Sequence, residues 1–133
     1  MAGSAPARVF SSNTLHCIRG RIKFDTSGAA TGIEIGTIPA GSFVGSVTVH
    51  VATAFNAATT NVLVVGTAAD DDGFAVAAGT LSGATGLKTA LFGAQSGDTL
   101  TADTPVVVKY TQTGTAATAG DAQVLVTFYP HAT

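Results

Sequence analysis

His16 and Cys17 are adjacent in the chain, and a thiolate beside an imidazole is the pairing that nucleophilic catalysis uses. In an extended chain, neighbouring side chains point to opposite faces, so these two cannot pair within one strand. Cys17 therefore reads as a small residue near a sheet surface. His50 and His131 lie far from His16 in sequence and show no metal-ligand spacing. Asp70-Asp71-Asp72-Gly73 offers the oxygens of a cation loop but neither their alternation nor a closing Glu. An acidic surface turn is the simpler reading. Gly83-Ala84-Thr85-Gly86-Leu87-Lys88-Thr89 approaches a phosphate loop, yet the motif needs Gly immediately before Lys, and Leu87 stands there. Gly-x-Ser-x-Gly is absent, and no carboxylate pair has a setting suited to acid–base work. No catalytic, cofactor or metal site is expected, and the chain does not read as an enzyme.

A glycan-binding sandwich is the non-enzymatic alternative, but such sites commonly present an exposed aromatic platform. This chain has no Trp and only Tyr110 and Tyr129, both inside strand patterns. Tyr110 shares the apolar parity of Val106 and Val108.

The elements carrying these residues repeat with a period of two almost throughout. In Leu15–Phe24, Ile18, Ile22 and Phe24 alternate with Arg19, Arg21 and Lys23, which predicts a strand with one apolar and one basic face. Ile33–Ile35 is a short strand, followed by a Thr37–Gly41 turn in which Pro39 presets φ and Gly41 takes the left-handed position. In Ser46–Phe55, Val47, Val49, Val51 and Phe55 share one face, with Ser46, Thr48, His50 and Ala52 on the other. Val62–Val65, Pro105–Thr111 and Ala122–Tyr129 are further strands, with weaker segments at Phe74–Ala77 and Leu87–Phe92. Val106, Val108, Val124, Val126 and Phe128 complete the expected core. No segment carries a helical stripe of useful length. Seven or eight short strands separated by Gly, Asn and Asp turns predict an all-β antiparallel sandwich or barrel. A jelly roll suits this length, and an immunoglobulin-like sandwich competes without its usual Cys and Trp pins. Met1–Thr14 is expected to be an extended N-terminal arm on a single domain, residues 15–133.

Composition narrows the function further. The chain has 133 residues, 46% apolar, with 16 Gly and one Cys. Only 11% are charged, less than half the usual share of roughly 25%. That excludes a charge-rich disordered chain, and the single Cys17 excludes a disulfide scaffold. No apolar run approaches membrane-span length, and no apolar stretch of signal-peptide length opens the chain. A reduced, non-exported protein with no membrane partner is expected. So plain a surface suggests one covered by copies of itself or by a host assembly.

Arg8, Arg19, Arg21 and Lys23 fall between Met1 and Phe24, where there is no acid. Beyond Phe24 only Lys88 and Lys109 face eight acidic residues. A basic leading segment on an acidic body points to an acidic partner or to a neighbouring subunit's acidic loops. Four cations without aromatic interleaving make a poor nucleic-acid footprint, and no nucleic-acid partner is expected.

Three phrases are more specific than composition: Gly36-Thr37-Ile38-Pro39-Ala40-Gly41, Val47 to Ala57, and Thr60 to Thr67. With Val107 to Gly120 they resemble the small jelly-roll cement, or decoration, proteins on the capsids of short-tailed bacteriophages. The likeness covers roughly residues 36–129. It implies a virion protein, made in the host cytoplasm, on the outer surface of the head. There it would be a homo-oligomer, dimer or trimer, hardening the shell through contacts with the major capsid protein. A head-fibre or tail-associated β module is the alternative. The basic strand face (Arg19, Arg21, Lys23) and the arm residues Arg8, Val9 and Phe10 are the expected contacts with the capsid or a neighbouring subunit.

Overall fold

The computed structural model describes residues 15–76, 84–89, 91–93, 95 and 97–130. Among them there is no helix, and nine strands form two antiparallel sheets. These are β1 (His16–Lys23), β2 (Ile33–Ile38), β3 (Phe43–Thr53), β4 (Thr60–Gly66), β5 (Ala75–Val76), β6 (Gly86–Thr89), β7 (Leu91–Phe92), β8 (Thr104–Thr113) and β9 (Asp121–Tyr129). One sheet has the order β1-β9-β3-β6, the other β2-β8-β4-β5-β7. The first four strands alternate between the sheets, an order compatible with the jelly-roll expectation. Leu87–Phe92, expected as one strand, is divided: β6 pairs with β3 in the first sheet and β7 with β5 in the second.

Period-two alternation decides which side of each strand is buried. All nine residues expected on the inner faces are buried: Val47, Val49, Val51, Phe55, Val106, Val108, Val124, Val126 and Phe128. Ile22, Ile38, Val44, Leu63, Val65, Phe74 and Tyr110 join them in one cluster. Ile38, expected in a turn, instead ends β2 and is fully buried. The turn that follows is built as anticipated, with Gly41 at φ 86° and Ser42 N–H donating to the Pro39 carbonyl at 3.3 Å.

The first and second sheets meet at one edge through β1 and β2, and glycine sets how closely. A Cβ added to Gly20 would run into the Ile35 side chain. A Cβ on Gly36 would come within 2.9 Å of Ile18 Cγ2. Each isoleucine thus occupies the space that the opposite glycine leaves, closing the sandwich where the strands are otherwise edges. The crossover between them, residues 24–32, is pinned to the body: Phe24 N–H donates to the Gly120 carbonyl at 3.1 Å, and Tyr110 N–H to the Ala29 carbonyl at 2.8 Å.

Two substitutions test this packing. Val124→Ala lowers unfolding stability by about 1–3 kcal/mol through lost burial and a cavity, read by chemical denaturation. Gly20→Ala lowers it by about 1–3 kcal/mol through overpacking. In an Ile35→Ala background that second loss shrinks, because the side chain it strikes is gone; strictly additive effects would contradict the interlock.

Candidate functional site

The outward residues of the first sheet include the basic strand face that the sequence singled out. On β1, Cys17, Arg19, Arg21 and Lys23 are all exposed, while Ile18, Gly20 and Ile22 turn inward. The register sets Arg19 beside Leu125 and Thr48, and Arg21 beside Gln123 and His50. Leu87 on β6 extends the latter row past His50 and is 71% exposed. The centre of this face is therefore uncharged, with cations along the β1 edge. The strand bears out its expected apolar and basic faces.

The three cations are not equivalent. Arg21 reaches diagonally to Asp121 on β9, donating from Nε to Oδ1 at 2.8 Å and from Nη2 to Oδ2 at 2.5 Å. This fork is the geometry that suits a guanidinium to a carboxylate. The hydrogen bonds from Arg21 hold the Asp121 carboxyl below the usual carboxylate range; the charges of Arg21 and Lys23 act the same way, and partial burial opposes them. Arg19 and Lys23 make no ion pair among the described residues. Two of the three strand cations are thus available to a partner, and one is largely committed within the chain. The remaining expected contact residues, Arg8, Val9 and Phe10, lie outside the described residues, as do Met1–Thr14 as a whole and His131.

The other candidates do not assemble a reactive centre. Cys17 is exposed on the outer face, whereas His16 packs its ring against Phe128 at 5.5 Å. The ligand oxygens of Asp70, Asp71 and Asp72 lie within 4.8 Å of one another. Their crowding follows from a turn in which Thr67 N–H and Gly73 N–H both donate to the Asp70 carbonyl. Lys109 Nζ pairs with Asp71 at 2.7 Å. A hydrogen bond shared with Asp72, with burial and the neighbouring charges of Asp72 and Asp71, raises the Asp70 pKa.

Tyr110 is spent in the core. Its hydroxyl donates to Asn61 Oδ1 at 2.7 Å, its ring packs on Phe55 at 4.7 Å, and burial pushes its pKa up. Asn61 in turn accepts from Ala57 N–H at 3.1 Å. An open hollow of about 440 Å³ beside Tyr110, lined by Phe24, Thr26, Ala29, Thr31 and Gln112, presents no titratable group other than that buried phenol.

The aromatic pair Phe43 and Tyr129 was not legible in advance. Counting in twos back from Val47 puts Gly45 and Phe43 on the inner face. A bulge between Val44 and Ser46 reverses that parity, so Phe43 faces out and stacks on Tyr129 at 4.9 Å, with Tyr129 lying over Gly45. Glycine inside an otherwise regular strand was the available signal for a bulge.

The Arg21–Asp121 fork predicts a pH effect of definite sign. Asp121 is depressed in the folded state, so its contribution is present above the unfolded carboxylate pKa and is lost as pH falls through the lower folded value. Asp121→Asn therefore lowers stability at neutral pH and reduces the loss on acidification, measured by denaturation at pH values spanning that range.

No protein-family model and no curated protein matches the chain. Solved structures do match its fold. A chain of the cyanophage Pam1 capsid asymmetric unit is 23% identical, with a TM-score of 0.67 over 87% of this chain and 84% of that one. A chain of the acidic stable capsid structure of Helicobacter pylori bacteriophage KHP30 is 15% identical, with a TM-score of 0.63 over 89% of each. A chain of the capsid of Ralstonia phage GP4 is 17% identical, with a TM-score of 0.56 over 90% of this chain and 86% of that one. The protein shares its β-sandwich fold with chains from three phage capsid structures.

Proposed function

We propose that the protein is a structural component of a phage virion: a cement, or decoration, protein on the outer surface of a tailed-phage head. In this reading it is a jelly roll that bridges major capsid protein subunits and is not an enzyme. The observation that carries the reading is the fold match to chains of three phage capsid structures, each over at least 84% of either chain. The correspondence thus involves the whole sandwich rather than one supersecondary piece. Support also comes from the phrases of sequence that resemble capsid cement proteins, and from candidate chemistry that stays dispersed or tied into turns and core.

Attachment, in this reading, uses the outer face of the first sheet. Arg19 and Lys23 on the β1 edge meet acidic groups on the shell or on a neighbouring copy, while Arg21 contributes less because Asp121 already holds it. Exposed ion pairs contribute little individually. Repeated across a closed homo-oligomer, dimer or trimer, they fix orientation and raise the on-rate. The arm bearing Arg8, Val9 and Phe10 adds to the same contact.

Co-sedimentation with undecorated heads tests this. The protein binds saturably, and binding weakens as salt rises. Replacing Arg19 and Lys23 by Gln makes residual binding less sensitive to salt, and replacing Arg21 alone has the smaller effect. Deleting Met1–Thr14 weakens binding while the far-UV spectrum of the β domain is kept. Equal binding by all variants at every ionic strength would place attachment elsewhere, and recovery of the protein on tails alone would sink the head assignment. Sedimentation of the free protein at high concentration shows self-association; a strict monomer both free and on heads would count against the oligomer.

A further inference from the structure

Large apolar side chains are gathered at one end of the first sheet's outer face. Tyr129 on β9 is 47% exposed and sits in register with Phe43 on β3, 37% exposed. One step beyond the His16–Phe128 pair of β1 and β9, Leu15 occupies the next position and is 53% exposed. Among the described residues, these are three of the four exposed large hydrophobics, the other being Leu87. Isolated exposed apolar residues need no explanation. Two on neighbouring strands, stacked at 4.9 Å, with a third just before β1, form a contact surface.

We infer that this row is the docking surface for the Val9-Phe10 segment of the same chain. The segment joins the sheet at Leu15, the first residue of the row. Phe10 is separated from Leu15 by a stretch that spans at most about 17 Å when extended. The far residue, Phe43, lies two strand spacings away, about 10 Å. Ser11-Ser12-Asn13-Thr14 supplies the residue types that reverse a chain. A tether this short gives the segment an effective concentration on the order of millimolar at its own row, ahead of any neighbour's arm at working dilution. Val9 and Phe10 are also the first sizeable apolar pair upstream of the row, and apart from Met1 the rest of that stretch is small or polar.

Docking leaves the arm on the sheet face that the attachment reading turns toward the shell. That consequence rests on the reading proposed above; the docking itself does not, and it is tested on free protein without heads.

The chain contains no Trp, so Phe10→Trp places a single indole at the critical position. Docking predicts a blue-shifted emission and acrylamide quenching several-fold weaker than in the same protein carrying Phe43→Ser and Tyr129→Ser. The shift persists on dilution. Circular dichroism confirms that the variants remain folded, and Leu15→Ser, outside the strand ladders, gives the same comparison if the double variant unfolds. A fully solvated indole in the otherwise unaltered protein overturns the inference, as does a shift indifferent to all of these row substitutions. A shift lost on dilution also overturns it, assigning the row to a second copy's arm.

Discussion

Burial of Val47, Val49 and Val51 on β3 and Val124 and Val126 on β9 against Val106, Val108, Leu63 and Val65 of the facing sheet is the interaction on which the remaining structure depends. Each such side chain contributes about 1.5–3 kcal/mol when removed from water. The contact also sets register, because a slip of one residue would turn every one of these side chains to solvent. Register in turn fixes the exterior. Arg19 is exposed because Ile18 and Gly20 are needed inside, and Asp121 lies within reach of Arg21 because Ala122 and Ile22 are paired on the inner face. The Gly20–Ile35 and Gly36–Ile18 interlock extends the same constraint to the edge where the sheets meet.

The exterior that results is chemically quiet. Hydroxyl and amide side chains share the outer face of the first sheet with exposed Phe43, Leu87 and Tyr129, and Arg19, Arg21 and Lys23 stand along its β1 edge. Such a surface suits broad contact with another folded surface more than recognition of a small molecule in an enclosed pocket. Of the buried polar groups, Tyr110, Asn61 and the Ala57 backbone satisfy one another under the β4 and β8 termini.

Strand identity and the inward residues were legible because a two-residue period in Val, Ile and Phe is a strong local signal, and here tertiary packing agrees with it. What escaped the sequence were departures from that period. The bulge at Gly45 reversed the parity upstream of Val47 and brought Phe43 to the surface. The partition of Leu87–Phe92 between two sheets follows from pairing partners remote in sequence, β3 and β5, which no local pattern encodes. At the candidate site, the basic face of β1 was legible from alternation alone. The capture of Arg21 by Asp121 was not, because the two are a hundred residues apart and meet only through the β1–β9 register.

The function proposed above requires this sandwich to meet a phage shell through the outer face of its first sheet. A reconstruction of undecorated heads incubated with the purified protein measures that orientation directly. Added density is expected on the outer surface, with the β1-β9-β3-β6 sheet turned toward the shell and the β2-β8-β4-β5-β7 sheet turned away. Density with the second sheet against the shell, density confined to tails, or heads unchanged at saturating protein would contradict it.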